Sequence, residues 1–485
     1  MIISTIPLFI ALPLGAAVAA WVFSRHPIAW FAGLFSVVTA GALLWLSVNQ
    51  LGAQPISFCA GLSGPFQVSL RIDALTALML VVINGIALCL LAFAITYMRH
   101  YTSPERFFTL FLFLIAGLNG VVLSADLFNL FVFMELASVA AYVLVGFGCE
   151  AEEIEASFKY FILGTIASLL GFFGIALLYI KTGVLDFDAL SVCLQQLPHD
   201  GTTVLAIVLI FCSFALKAAV VPFHAWLPDA HPAAPAPVSA MLSGVVIKVM
   251  GVYVLSRFVF NVLGAPPVIL SIMLVLGVLS MTVGMLPALV QRDIKRLLAY
   301  SSVGQIGFII VGLALGTPLG IVGALFHLVN HSAMKSLLFL NAGSVEYSTG
   351  TRDITKLGGL FRATPVNGAT ALIGSLSIAG IPPFGGFWSK LIIIVACVQS
   401  GHYLVAGIAV LASILTLSAM LRFQRGVFFG AVQEIGRSVR RTPASMAFVL
   451  ILLALACIGT AALMLGGFST PLFIAPAAAV LQSAL

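Results

Sequence analysis

The sequence predicts an all-α polytopic membrane protein of about 14 transmembrane helices. Three observations predict it. Residues are 61% hydrophobic and only 8% charged, against about 25% charged in a soluble globular chain. Apolar runs of about 20 residues, the length a helix needs to cross the hydrocarbon layer, follow one another along the chain. Four lysines, Lys217, Lys248, Lys335 and Lys390, and one acid, Glu135, interrupt those runs. An ionisable group in lipid costs roughly 2.5–3.5 kcal/mol on insertion scales and is kept where it has a function.

The first span takes in residues 1–23, which stay apolar too long for a cleaved signal and lack its basic leader. The others centre near Ser36, Val81, Leu114, Met134, Leu169, Ile210, Val246, Gly277, Ile309, Asn330, Ile378, Leu411 and Ala454. The longest polar connections are 49–71, 181–201 and 345–362, and no soluble domain is expected. Glu150, Glu152, Glu153 and Glu155, ahead of the sixth span, read as a solvated acidic loop.

Loop charges support this count. Connections after odd-numbered spans hold Arg25, Arg99, Arg106, Lys159, Arg292, Lys295, Arg296, Arg352, Lys356, Arg362, Arg422, Arg425, Arg437, Arg440 and Arg441. Those after even-numbered spans hold only Arg71, Lys181 and Arg257. This bias places the odd loops in the cytoplasm and both termini outside, in a bacterial or archaeal inner membrane. It accounts for the formal charge of +6 without nucleic acid. The basic stretch 422–441 reads as a topology signal, with anionic lipid as the alternative.

Two spans should break. The seventh runs from Lys217 into Pro222 and His224, and the twelfth contains Gly380, Pro382, Pro383, Gly385 and Gly386 ahead of Lys390. Proline removes a backbone donor, and a broken helix at membrane depth survives only where protein or a wet cavity satisfies the freed groups. The breaks lie five spans apart, each beside a lysine. Five is odd, so two inverted five-helix repeats are expected, spans 4–8 and 9–13. The chain divides accordingly into 1–106 (three N-terminal spans), 107–260 and 265–425 (the repeats), and 426–485 (the last span), all within a single transmembrane domain.

Several function classes drop out. The seven cysteines are scattered without a C-x-x-C pair, and there is no G-x-G-x-x-G or Walker A motif. No cofactor, no metal and no nucleotide hydrolysis are expected. A quinone-reducing site would need a cavity of convergent polar groups, which the sequence does not show.

The motifs resemble the proton-translocating antiporter-like subunits of respiratory complex I, Mrp-type sodium/proton antiporters and energy-converting hydrogenases. The resemblance covers most of the chain. It rests on RIDAL at 71–75, DLFNLFVFME at 126–135, FKYF at 158–161 and PFHAWLPD at 222–229 behind Lys217. It continues in APVSA at 236–240, DIKRLLAYSS at 293–302, HLVNH at 327–331 with Lys335, and GIPPF at 380–384 leading to Lys390. The run at 126–133 is more similar to the Mrp antiporter's D-type subunit and its hydrogenase relatives than to the N-type subunit of complex I. The sequence ends after its fourteenth predicted span, without the lateral helix of the largest paralogues.

The resemblance implies a proton path. Glu135 and Lys217 would be the family's acid–base pair, in which a lysine loses its proton as the pair parts and regains it as the pair closes; the alternative is a static ion pair. Lys248 would follow, unless it snorkels to an interface. His327, His331 and Lys335, spaced by four, share one face of a helix; a relay through imidazoles that titrate near neutrality competes with a metal pair or plain helix–helix hydrogen bonding. Lys390 would be the exit-side lysine, or else an interfacial anchor. His224 and His327 are expected at access or gating positions, with a structural cap as the alternative for His224. Asp229 and Asp293 should cap helices at the surface. The implied partners are other membrane subunits, protons and membrane lipid, with sodium left open, and any redox site would lie on a partner.

Overall fold

A computed structural model of the chain describes residues 5–23, 30–60, 67–196, 200–431, 439–483 and 485. Arg25 and Arg437, two of the charges in the odd-numbered connections, lie outside the described residues. Helices dominate, as an apolar solvent demands, because each satisfies its own backbone. Among the described residues, ten are long and apolar enough to cross a membrane by length and composition, which makes this a multi-pass membrane protein.

The element order is α1 (Leu8–Phe23), α2 (Trp30–Val48), α3 (Ala74–Tyr97), α4 (Pro104–Leu123), α5 (Leu127–Val145), α6 (Ala151–Thr182), α7 (Phe187–Gln196), α8 (Gly201–Lys217) and α9 (Leu227–Ala233). It continues with α10 (Ala236–Val262), α11 (Pro267–Ala288), α12 (Ile294–Ala314), α13 (Pro318–Thr349), α14 (Pro365–Ala379), α15 (Gly385–Gln399), α16 (Tyr403–Gln424), α17 (Ala444–Gly459) and α18 (Ile474–Gln482). Helices α10 and α12 lie almost wholly enclosed at the centre, whereas α2, α6, α11, α16 and α17 present broad apolar faces outward. Much of α10 is wound as π-helix, at Leu242–Val246, Lys248–Tyr253 and Arg257–Val262.

Helix starts follow the sequence. Asp73, Asp126, Asp200 and Asp293 each accept a hydrogen bond from the backbone N–H three residues on, satisfying a donor that has no partner inside the helix. Asp293 thus caps α12 as expected. Asp229 does not cap: it sits in the first turn of α9 and pairs with Lys159 and Arg296.

Several loop readings are corrected. The connection at 49–71 contains an antiparallel hairpin, Ile56–Ala60 with Val68–Ile72, and 181–201 contains α7. The acidic cluster starts α6 rather than forming a loop, and its Glu153 is buried. Arg257 and Lys295, counted as loop charges, are buried inside helices. Arg257 grips Asp73 through Nη2, at 2.6 and 2.7 Å from the two carboxylate oxygens.

The expected helix breaks occur, and their freed groups find partners. After α8 the Leu216 carbonyl accepts the Trp226 indole N–H at 3.2 Å, and Val221 N–H donates to Ser280 Oγ at 3.0 Å. After α14, Gly380 takes up φ +83°, a left-handed conformation open to glycine, and the Ile378 carbonyl accepts Lys390 Nζ at 2.8 Å.

The two halves share a register. Both α6 and α13 are 32 residues long, and they end on left-handed Gly183 and Gly350. A short bridge joins Asp126 to Asp186 in the first half, and another joins Asp293 to Asp353 in the second. Thr182 and Thr349 turn their hydroxyls to the same pair of carbonyls, four residues back and two ahead. One constant interval along the chain relates each of these pairs. Contacts also sort the connections: Arg71 meets Asp188 and Gln482 meets Pro318 at one end, while Arg352 meets Asp293 and Lys159 meets Asp229 at the other.

Candidate functional site

The expected site residues fall into two clusters inside the helical bundle. The first joins α5, α6 and α8. Lys217 is the last residue of α8, where the break begins, and its side chain is almost fully enclosed. Its Nζ donates to Ser138 Oγ at 2.7 Å and to Ser168 Oγ at 3.1 Å, and stops 3.6 Å from Glu135 Oε1. Ser168 Oγ donates in turn to Glu135 Oε1. Glu135 is not fully buried: 33% of its side chain is exposed in this chain alone. It stands among the outward apolar residues Phe128, Val132 and Val139 of α5.

The second cluster lies where α10, α12, α13 and α15 meet, and it is fully enclosed. Lys248 Nζ donates to the Ser243 carbonyl one π-turn back, so it does not snorkel to a surface. Lys335 Nζ donates to the Leu298 carbonyl at 2.7 Å and to Ser301 Oγ. His327 and His331 stack with rings 6.0 Å apart and nearly parallel. His327 lies 2.9 Å from Ser389 Oγ through Nδ1 and 3.2 Å from Gln305 Oε1 through Nε2. Neither ring nitrogen of His331 has a hydrogen-bond partner among the described residues.

Lys390, next to Ser389, sits 4.7 Å over the Phe308 ring and lines a cavity of about 230 Å³ at the second break, with Gly380 and Phe387.

The two clusters meet through backbone. Gly251, one turn beyond Lys248, packs so closely on Ala218, the residue after Lys217, that an added Cβ would lie 2.3 Å from the Ala218 Cα. His327, expected at an access position, is part of the enclosed row. His224 stands apart, half-buried in the first break, with Nδ1 unpartnered among the described residues.

The family model described as "NADH:quinone oxidoreductase/Mrp antiporter, TM" matches residues 124–416. The chain belongs to that family. A second model, "NADH-Ubiquinone oxidoreductase (complex I), chain 5 N-terminus", matches residues 63–108. Among relatives, this NADH:quinone oxidoreductase/Mrp antiporter family member is 33% identical to the N-type subunit of the NADH-quinone oxidoreductase of Desulforudis audaxviator over 444 residues, 90% of this chain and 88% of the relative. It is 34% identical to the D-type subunit of the Na(+)/H(+) antiporter of Alkalihalophilus pseudofirmus over 369 residues, 76% of this chain and 74% of the relative. Among solved structures it is similar to a chain of the Mrp complex from Dietzia sp. DQ12-45-1b, with a TM-score of 0.90 at 28% identity over 99% of this chain and 97% of that one.

Sequence reasoning missed other members of the site. Ser138, Ser168, Ser301, Gln305 and Ser389 carry no distinguishing sequence signal; each matters because a charged or imidazole group lands on it. Lys295 and Glu346 also escaped. They form an ion pair of 3.1 Å beside a cavity of about 390 Å³ lined also by His100, Glu153 and Arg352. His231, fully buried, lies two residues past the quoted motif at 222–229.

Proposed function

We propose that this chain is a proton-carrying subunit of a multisubunit membrane antiporter of the Mrp type, occupying the place of its D-type subunit. The observation that carries the reading is the enclosed row of titratable side chains from Lys248 through His331, Lys335 and His327 to Lys390, approached by the Glu135–Lys217 pair. Protons enter at Lys217, cross to Lys248 over bridging water, pass along the histidine–lysine face, and leave at Lys390. His224 serves as an access residue at the first break. The chain binds no cofactor; a partner subunit supplies the coupling, and membrane lipid surrounds the outward faces.

In this reading there are 14 spans, with α8–α9 and α14–α15 as the two broken ones. The repeats occupy 107–260 and 265–425, between three N-terminal spans at 1–106 and a last one at 426–485. Support comes from the constant interval between the matching helix ends and from the segregation of connections to two ends of the bundle. The basic loops face the cytoplasm of a bacterial or archaeal cell, which leaves both termini on the outer side.

A second reading, a proton-pumping subunit of complex I or of an energy-converting hydrogenase, is favoured by the match to the N-type subunit over 90% of the chain. The discriminating experiment is proton movement in vesicles holding the assembled complex. With Lys217→Ala, cation-driven proton exchange should disappear while assembly persists; unchanged exchange would leave the chain a scaffold. Purifying the tagged chain with its neighbours decides between the two complexes.

A further inference from the structure

We infer that His231 carries protons between the Lys295–Glu346 cleft and the Lys248–Lys335 row, giving the row an opening of its own on the face of the odd-numbered connections. This deepens the proposed function and rests on it. His231 is fully buried in the short helix α9, yet neither ring nitrogen has a hydrogen-bond partner among the described residues. Buried polar groups are nearly always satisfied, so an imidazole left open on both sides calls for a reason. Its ring stacks on Phe339, centroids 4.7 Å apart, and the Lys335 amine sits 5.9 Å from the centroid of that same ring.

The other side of His231 leads outward. Ser239 Oγ donates to the carbonyls of both His231 and Ala234, at 2.8 and 3.2 Å, and Lys295 Nζ donates to the Ala234 carbonyl at 3.1 Å. Lys295 holds Glu346 at the wall of the cleft.

The transfer balances. A proton carried by water in the cleft passes to one ring nitrogen, leaving neutral water and forming an imidazolium. The proton on the other ring nitrogen then passes to a neutral Lys335 amine, leaving a neutral imidazole and an ammonium. Bridging water completes the steps, and the sequence reverses for outward flow.

The test replaces His231 in the full complex in vesicles. His231→Gln keeps a polar side chain of similar reach that carries no proton, and exposed His402→Gln is the control. His231→Gln should slow proton exchange at least tenfold, with assembly and the control unchanged; exchange at the unaltered rate in assembled complex overturns the inference. If His231→Gln does not assemble, hydrogen–deuterium exchange at the imidazole C2 of the unmodified complex decides: exchange at His231 supports a wet, titrating ring, and none overturns it. Normal exchange in both His231→Gln and Lys217→Ala would instead sink the proposed function itself.

Discussion

Lys217 and Glu135 face each other without closing: the amine stops 3.6 Å from the carboxylate, and the Ser168 hydroxyl bonds to both. Because the hydroxyl can hold either partner, the pair can part without leaving a bare charge in a poorly polar setting. That argues for a proton switch over a static clamp, since a clamp would gain from direct contact.

Ser168→Ala removes this shared partner. The lost hydrogen bonds cost about 1–3 kcal/mol when a partner is left unsatisfied. Assembly should persist. Proton exchange in vesicles should fall several-fold, with Ser168→Thr recovering most of it. An Ala variant as fast as the parent would show that the hydroxyl is not part of the switch.

Ser389 has an analogous place beside Lys390. Gln305 Nε2 donates to Thr416 Oγ1 at 3.3 Å, which turns Gln305 Oε1 toward His327 Nε2. That fixes the neutral tautomer with the proton on Nε2, so Nδ1 accepts from Ser389. A second proton on His327 requires the Ser389 hydroxyl to rotate toward the Gly385 or Gly386 carbonyl, each 3.3 Å away. Ser389→Ala deletes that rotor at a stability cost of about 1 kcal/mol. Exchange should slow, and its pH profile should shift relative to the parent; an unmoved profile would count against His327 as a carrier.

The helical, multi-span character was legible because lipid imposes one length and one composition on a span, and the breaks because Pro222 and Pro382 cannot continue a helix and Gly380 readily leaves one. The lysines stood out against apolar runs. What stayed hidden depends on tertiary partners. Arg257 looked like a loop charge, since nothing in its neighbourhood announces Asp73, far away in the chain. Lys295 reads as a topology signal until the fold brings Glu346 beside it. Ser168 and His231 are ordinary residues by sequence, and their roles come from what the fold places on them.

Arg257 and Asp73 tie α10 to the start of α3, with Arg257 Nε also donating to the Tyr253 hydroxyl at 3.1 Å. Removing one member of a buried pair strands the other, at roughly 3–5 kcal/mol. Arg257→Ala should lower the melting temperature in detergent sharply, and Arg257→Lys should not restore it, since a lysine cannot repeat the fork. Burial disfavours the Asp73 carboxylate, but the adjacent guanidinium more than offsets this and holds the carboxyl below its ordinary range. A folded-state value below the unfolded one contributes stability in full above the usual carboxylate range, and loses it as pH falls through the lowered folded value. From pH 7 to 5 the contribution should therefore stay constant and vanish only in stronger acid. A melting curve in which the parent's advantage over Asp73→Asn, which cannot titrate at this site, already shrinks between pH 7 and 5 would contradict this.

Gly251 sets how closely α10 approaches the first break. A Cβ there would fall 2.3 Å from the Ala218 Cα and 2.4 Å from its nitrogen, both backbone atoms that cannot swing aside. Gly251→Ala must therefore push α10 and the break apart, widening the step between Lys217 and Lys248. Overpacking of this kind costs about 1–3 kcal/mol, a loss a large bundle can absorb, so the chain should still assemble. The two lysines, however, would stand further apart across the gap that water must bridge. Exchange should then fall by more than the loss of assembled complex explains. If exchange per assembled complex is unchanged in Gly251→Ala, protons do not cross from Lys217 to Lys248, and each cluster would need its own path through the membrane.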